Sequence, residues 1–457
     1  MSLIRHAGGR CLLVAALVIL SVSCATPRPS PPVLPEPEPD VSGKASGPTV
    51  LPGAPVHPAM FECRLAAVGD IMLGGTAAPE MRKYGYDYPF EKTQAILKQA
   101  QIVFGNLEGP LTESGAPATG KQYVFRSPPD KVAPALARAG FNIMSLANNH
   151  TLDYGSEGLE DTRRALEQAG IGYVGAGQND SAARAAAYLA CPPPRGSALS
   201  GVNFAPLVPK VAFLAYSLTF PEEFWAGPDK PGTAFGHERH VRTDVAAARE
   251  RADIVVVSFH WGQEGKTELR DYQVQLAHAA IDAGAAAVLG HHPHILQGVE
   301  RYKSGVILYS LGNFAFGSFS NTATRSVIAL LTFHHGQWRE LRLLPINVKN
   351  AEVVFQPRPL AGPEASQVVE HLQEMSIHRG TVLENHDARR GIRLVLSRHI
   401  DPIIAFRSGI HLGRDPLVLG DGSDGYVRLT FGIRTRFVII GKGHGDGGDK
   451  SKRGQGG

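Results

Sequence analysis

Six apolar runs in this chain each stop at residues able to hold a cation, and that pattern constrains the fold more than any other feature. Leu65–Gly69 runs into Asp70, Ile102–Gly105 into Asn106 and Glu108, and Phe141–Ala147 into Asn148, Asn149 and His150. Ile254–Phe259 ends at His260, Ala285–Gly290 at His291, His292 and His294, and Val306–Gly312 at Asn313. Near-continuous apolar runs of this length read as strands buried on both faces, and in open α/β sheets ligands collect beyond the carboxyl ends of such strands. For the three imidazoles held by Pro293, a chance surface cluster is the lesser alternative on this segment alone. With five other strand ends offering oxygen and nitrogen, they point to one shared site.

The segments between these runs fit crossover helices. Phe90–Ala100, Asp130–Ala139, Ser156–Ala169, Asp244–Ala252 and Asp271–Ala283 carry apolar residues at helical spacing, and Gly140, Gly170 and Gly284 stand where helices would stop. Ser156, with Glu157 and Glu160 behind it, reads as a helix N-cap. The body therefore spans about residues 61–350 as alternating strands and helices. Its last part, Ser326–Phe333 and Trp338–Val348, reads as antiparallel strands that finish the sheets.

The first 60 residues read as an export and tethering segment. Arg5 and Arg10 precede the apolar run Cys11–Leu20, too short for an ordinary membrane span and suited to the core of a signal peptide. Ser21-Val22-Ser23-Cys24 resembles the lipobox of bacterial lipoproteins, with Ser21 where leucine is preferred, so residues 1–24 read as a lipoprotein-type signal with lipidation at Cys24. A plain cleaved signal and an uncleaved anchor are the alternatives, and each version exports the domain. Residues 25–60 are proline-rich and too poor in large apolar side chains to fold, which makes them a semi-rigid tether.

Removal of Cys11 and lipidation of Cys24 would leave Cys63 and Cys191, which lack metal-site spacing and read as structural. Export permits a disulfide between them, although the sequence does not fix their separation. A formal charge of +4 and no basic patch interleaved with aromatics exclude nucleic acid as a partner. Residues 351–440 form an extension with a helix at Glu364–Met375 and short strands such as Ile392–Leu396 and Tyr426–Phe431, and 441–457 read as a disordered tail.

Carboxylates from Asp70 and Glu108, the Asn149 amide and imidazoles from His260, His292 and His294 make a mixed oxygen and nitrogen set without thiolate. Such a set suits Mn, Fe or Zn, and more than four ligands implies two ions clamping an in-line displacement. The strings Val68–Gly74, Gly105–Gly109, Ala147–Asp153, His260–Glu264, Gly290–His294 and Ser310–Phe314, in that order over about residues 64–350, resemble the motif set of the capsule-synthesis CapA family, which is associated with poly-γ-glutamate synthesis and lies in the calcineurin-like metallophosphoesterase superfamily.

That resemblance implies a four-layer α-β-β-α sandwich of metallophosphoesterase type, with mixed sheets and the site at the strand C-terminal ends. It assigns Asp70, Glu108, Asn149, His260, His292 and His294 as metal ligands, with Glu108 bridging, and His150 as the histidine that protonates a leaving group. The choice between His291 and His292 stays open. Asn313, whose strand ends beside the others, reads as lining the site with His150. Secondary candidates are Asn106, His291, Asp153 as a helix-start charge or an acceptor orienting His150, and Glu264 as a loop charge or a site residue. Trp261 reads as a packed rim aromatic, His278 as a core or helix-surface histidine, and His334 and His335 as turn residues.

Two departures from the superfamily matter. Met72 stands where its first motif has histidine, and Glu108 where the bridge is normally aspartate. A thioether binds a hard divalent ion poorly. The expected function is therefore an exported, membrane-anchored envelope protein serving synthesis, release or attachment of an anionic polymer such as poly-γ-glutamate, in company with capsule-synthesis membrane subunits. The alternatives are an envelope metallophosphoesterase acting on a phosphoester and a non-catalytic polymer-binding scaffold.

Overall fold

The computed structural model describes residues 62–192 and 208–385, together with the backbone of short strands at 392–394, 418–419, 428–430 and 436–438. The expected signal with Cys24, the 25–60 linker and the 441–457 tail lie outside the described residues. Among the described residues, no helix is long and apolar enough to cross a membrane.

Two mixed sheets form the body. The first is centred on β1 (Cys63–Met72), which runs parallel to β2 (Ile102–Leu107), followed by β3 (Ile143–Ser145) and β4 (Gly172–Val174). The other sheet contains β5 (Ala187–Ala190), β6 (Lys210–Ser217), β7 (Ile254–His260), β8 (Ala287–His291), β9 (Val299–Tyr302) and β10 (Gly305–Leu308), with β6, β7, β8 and β10 mutually parallel. The chain then returns to the first sheet through β11 (Asn313–Phe316), parallel to β1, and the antiparallel pair β12 (Arg325–His334) and β13 (Gln337–Asn347). Beside β13 lie the short strands Ile392–Leu394 and, next to it, Leu383–Asn385.

Period-two alternation sorts each central strand between two cores. Leu65 and Ala67 of β1 and Ile254 and Val256 of β7 enter the core between the sheets, where the rings of Phe104 and Phe213 stack at 5.8 Å. Ala66 and Val68 face the helices α1 (Pro129–Ala139) and α2 (Gly155–Gln168), while Val255, Val257 and Phe259 face α3 (Glu238–Arg249) and α4 (Asp271–Asp282). Helices outside two packed sheets make the four-layer sandwich, and burial on both faces explains why these strands read as unbroken apolar runs. Val368, Val369 and Leu372 of α5 (Gly362–Ile377) join the inter-sheet core.

Several expected boundaries shift. Phe90–Ala100 is not one helix: a 3-10 turn at Tyr88–Phe90 precedes a short helix at Gln94–Leu97, and between them the Thr93 hydroxyl bonds the Phe90 carbonyl in competition with helical pairing. Ser156 does not cap its helix, because the chain enters through Gly155 at φ +65° and Ser156 already lies in the first turn. Helix α3 begins at Glu238 rather than Asp244, since the His237 ring nitrogen caps Arg239 N–H, a role that propensity does not assign to histidine. Cys63 and Cys191 are disulfide-bonded, joining the first residue of β1 to the residue after β5 and so tying one sheet to the other.

Candidate metal centre

The strand registers bring the polar ends of the runs together. In the first sheet Asp70 pairs with Asn106 on one side and Asn313 on the other, and in the second His260 lies opposite His291. These five residues belong to the strands themselves rather than to following loops, so their positions are held by the ladders. Glycine before the ligands permits the close approach: a Cβ on Gly69 would fall 1.8 Å from the Gly312 carbonyl oxygen, and one on Gly290 would fall 1.9 Å from that of Tyr309. The sheets meet where the His292 N–H donates to Asp70 Oδ2 at 3.2 Å.

Among the described residues, three overlapping sets of side chains offer ligand atoms within 4.8 Å of one another: Glu108, His260 and His292; Asp70, Glu108 and His294; and Glu264, His292 and His294. Glu108 Oε1 lies 3.7 Å from both His260 Nε2 and His294 Nε2. Asn149 Oδ1 is 2.7 Å from His260 Nε2, which adds an amide oxygen to the first set. Asn106 Nδ2 donates to Asp70 Oδ1 at 2.9 Å and stands 3.3 Å from His260 Nδ1, while Asn313 Oδ1 is 2.9 Å from His294 Nδ1. Both asparagines thus orient first candidates rather than stand apart from them.

The chemistry of this cluster fits a divalent cation. Among the described residues, both oxygens of the fully buried Glu108 and Nδ1 of His292 have no hydrogen-bond partner, while His291 Nδ1 stands 3.2 Å from Asp70 Oδ1. Leaving a carboxylate buried and unpaired is costly, and a cation shared with the imidazoles removes that cost. Among the described residues His292 belongs to two of the three ligand sets and His291 to none; the His291 ring packs beside Phe104, 6.0 Å away, with Nδ1 3.2 Å from Asp70 Oδ1. The backbone is turned to suit, with φ of +94° at His292 and +60° at His294. Such conformations outside glycine cost on the order of 1–3 kcal/mol each and persist where the surroundings fix them.

Electrostatics in the metal-free chain split the set. Burial raises the Glu108 carboxyl well above its usual range, and neighbouring Asp70 pushes it further. Burial also opposes ionisation of Asp70, but hydrogen bonds and charge from His291 and His294 hold its pKa well below 3.8. Desolvation lowers His260 well below 6.5 with help from His292, and it takes His292, beside His294, down to about 3. Both imidazoles are neutral at pH 7, with lone pairs available. His294 goes the other way: despite burial, Glu108 and Asp70 raise it to about 10.

His150 sits beside this cluster with Nδ1 2.7 Å from Asp153 Oδ2, so Asp153 is its orienting acceptor and not a free helix-start charge. The Phe125 N–H donates to the same carboxylate oxygen at 2.7 Å, and the Phe125 ring lies 4.6 Å from the imidazole. Sequence reasoning missed Lys121, whose Nζ pairs with Asp153, bonds the Asn149 carbonyl and stands 3.2 Å from His150 Nδ1. Lys121 lies in a polar Gly, Ser and Pro loop without periodicity, and no local signal marks it. Burial lowers its pKa while Asp153 opposes that change.

Trp261 is fully buried, stacks on Phe259 and donates Nε1–H to the Tyr309 carbonyl at 2.9 Å, so it is a core residue rather than a rim aromatic. His278 bonds Glu300 at 3.0 Å and stacks on Tyr302, a structural role. His334 ends β12 and His335 follows in the turn.

Residues 64–318 match the family described as Bacterial capsule synthesis protein PGA_cap. The chain is similar to the capsule biosynthesis protein CapA of Bacillus anthracis, 30% identical over 348 residues that cover 75% of this chain and 80% of that one. It is likewise similar to the PGA biosynthesis protein CapA of Bacillus subtilis, 32% identical over 287 residues covering 62% and 71% of the two chains. Among solved structures, Haemophilus influenzae NAD nucleotidase aligns over 76% of this chain and 67% of its own with 12% identity and a TM-score of 0.37, too low a likeness to bear on fold or function.

Proposed function

Since the chain belongs to the bacterial capsule synthesis protein PGA_cap family, of metallophosphoesterase type, we propose that it serves the synthesis, release or attachment of an anionic envelope polymer such as poly-γ-glutamate, by metal-assisted hydrolysis. The observation that carries the chemical part is the buried, unpartnered Glu108 set among His260, His292, His294 and Asp70. Asp70, Glu108 and His294 would hold one Mn, Fe or Zn ion, and Glu108, Asn149, His260 and His292 a second. Bound there, the ions supply Lewis acidity and a water of lowered pKa.

The remaining steps belong to this chain's own residues. Asp153 fixes the Nδ1 side of His150, leaving Nε2 as the nitrogen that hands a proton to the leaving group. Asn106 and Asn313 fix the rotation of Asp70, His260 and His294. Export by a lipoprotein signal, anchoring through Cys24 and placement beside membrane subunits of capsule synthesis complete the proposal. The Cys63–Cys191 disulfide supports export, because such bonds persist in oxidising compartments.

The test is incubation of the purified protein with Mn²⁺ or Zn²⁺ and poly-γ-glutamate. Polymer shortening that disappears in His150→Ala supports this reading. The same histidine, beside an amide ligand, also suits a phosphoester, so hydrolysis of an aryl phosphate abolished by His150→Ala, without polymer shortening, would replace it with an envelope metallophosphoesterase. Absence of both activities, with a normal polymer phenotype in a His150→Ala, His260→Ala double variant, would leave a polymer-binding scaffold.

A further inference from the structure

The metal-centre reading leaves one carboxylate unused. Glu264 is exposed, yet its oxygen lies within 4.8 Å of ligand nitrogens of both His292 and His294. Its loop is fastened to the histidine turn rather than loose beside it. The Gly265 N–H donates to the Pro293 carbonyl at 2.9 Å, between the two histidines in sequence, and the Gly262 N–H donates to the Tyr272 hydroxyl at 2.8 Å. On the far side Gln263 accepts from Arg270, and Gln297 donates to the Lys266 carbonyl at 2.9 Å. Ligands about 2.0–2.2 Å from one ion lie within about 4.4 Å of each other, so the spacing needs little adjustment to become a coordination shell.

A second observation points to a ligand at the same place: among the described residues, buried His292 Nδ1 and both buried oxygens of Glu108 have no hydrogen-bond partner. Glu108 meets the imidazoles from the core, and Glu264 meets them from the solvent side. Met72, two residues beyond Asp70 on β1, brings only a thioether, so the protein ligands on the Asp70 side are few. Resting on the metal-centre reading, we propose that Glu264 is a further carboxylate ligand, closing the centre on its solvent side at the His292–His294 edge.

The experiment compares the full protein with Glu264→Gln and Glu268→Gln by titration calorimetry with Mn²⁺ and Zn²⁺, and by metal retained after chelator challenge. Glu268 is an exposed acid of the same loop that belongs to none of the ligand sets, so its variant controls for charge alone. Glu264→Gln is expected to weaken binding on the order of 10–100-fold or to lose one equivalent, with Glu268→Gln within about twofold of wild type. Equal affinity of Glu264→Gln and wild type overturns the assignment, as does an equal loss in both variants. A wild-type protein that retains no metal is a different failure, because it removes the metal centre itself. Thermal melts of the metal-free variants show whether the exposed substitutions leave the fold intact.

Discussion

The two ends of β1 solve opposite problems. At its start Cys63 closes the sandwich covalently onto Cys191, within an apolar surround. At its end Asp70 enters a cluster where, among the described residues, both oxygens of Glu108 and Nδ1 of His292 are buried without hydrogen-bond partners. One end is closed by a covalent bond; the other buries a carboxylate that His294, 3.7 Å away, approaches without a hydrogen bond, which is a costly arrangement. The contrast teaches that stability and chemistry were placed at separate ends of the same strands, so changes at each end should give opposite signatures.

The largest effect should come at the closed end. Cys63→Ser with Cys191→Ser opens a loop of 128 residues and should cost about 4 kcal/mol, read as a drop in denaturation midpoint, with metal affinity unchanged once the protein is folded. Next, Lys121→Met removes the cation paired with Asp153, the acceptor of His150. Breaking a buried pair ordinarily costs 3–5 kcal/mol, but Asp153 keeps the Phe125 N–H and His150, so about 2 kcal/mol is expected in a denaturant melt.

Glu108→Gln should break the comparison in the other direction. Removing a buried carboxylate that accepts no hydrogen bond should stabilise the metal-free chain by about 1–3 kcal/mol while sharply weakening metal binding, checked by melts with and without chelator. A Glu108→Gln protein that is less stable without metal would show that the polar end is not strained in this way. A further contrast lies in pH dependence. His292 is lowered from 6.5 to about 3, so between those values the unfolded chain takes up a proton that the folded one refuses, and metal-free stability falls as pH drops through that window. His294 is raised to about 10, so its contribution is complete below pH 6.5 and lost as pH rises toward 10. His292→Ala should flatten the acid limb of midpoint against pH, and His294→Ala the alkaline limb.

Much of this arrangement was legible in the sequence, for a physical reason. Strands buried on both faces leave continuous apolar runs, and the residue at which each run stops is where the sheet meets solvent or ligand. Asp70, Glu108, Asn149, His260, His292 and His294 could therefore be placed at one edge before any coordinates. What the pattern could not show is contact between segments without periodicity. Lys121 reaches Asp153 from an irregular loop, and His292, unlike its neighbour His291, has a φ of +94° and belongs to the ligand sets. The disulfide was permitted but not determined, since 128 residues of sequence say nothing about a Cα separation of 5.8 Å. The helix expected at Phe90–Ala100 failed because Thr93, a buried hydroxyl, found a carbonyl of its own.

The central claim is that the polar end of the sandwich is a cation-binding centre, and metal content tests it most directly. Elemental analysis of the protein purified under metal-replete conditions should find about two equivalents of Mn, Fe or Zn per chain, as expected of a paired site. The His260→Ala, His292→Ala double variant, still folded by melt, should lose most of that content. Wild-type protein that retains no metal, or a double variant that retains as much as wild type, would contradict the account.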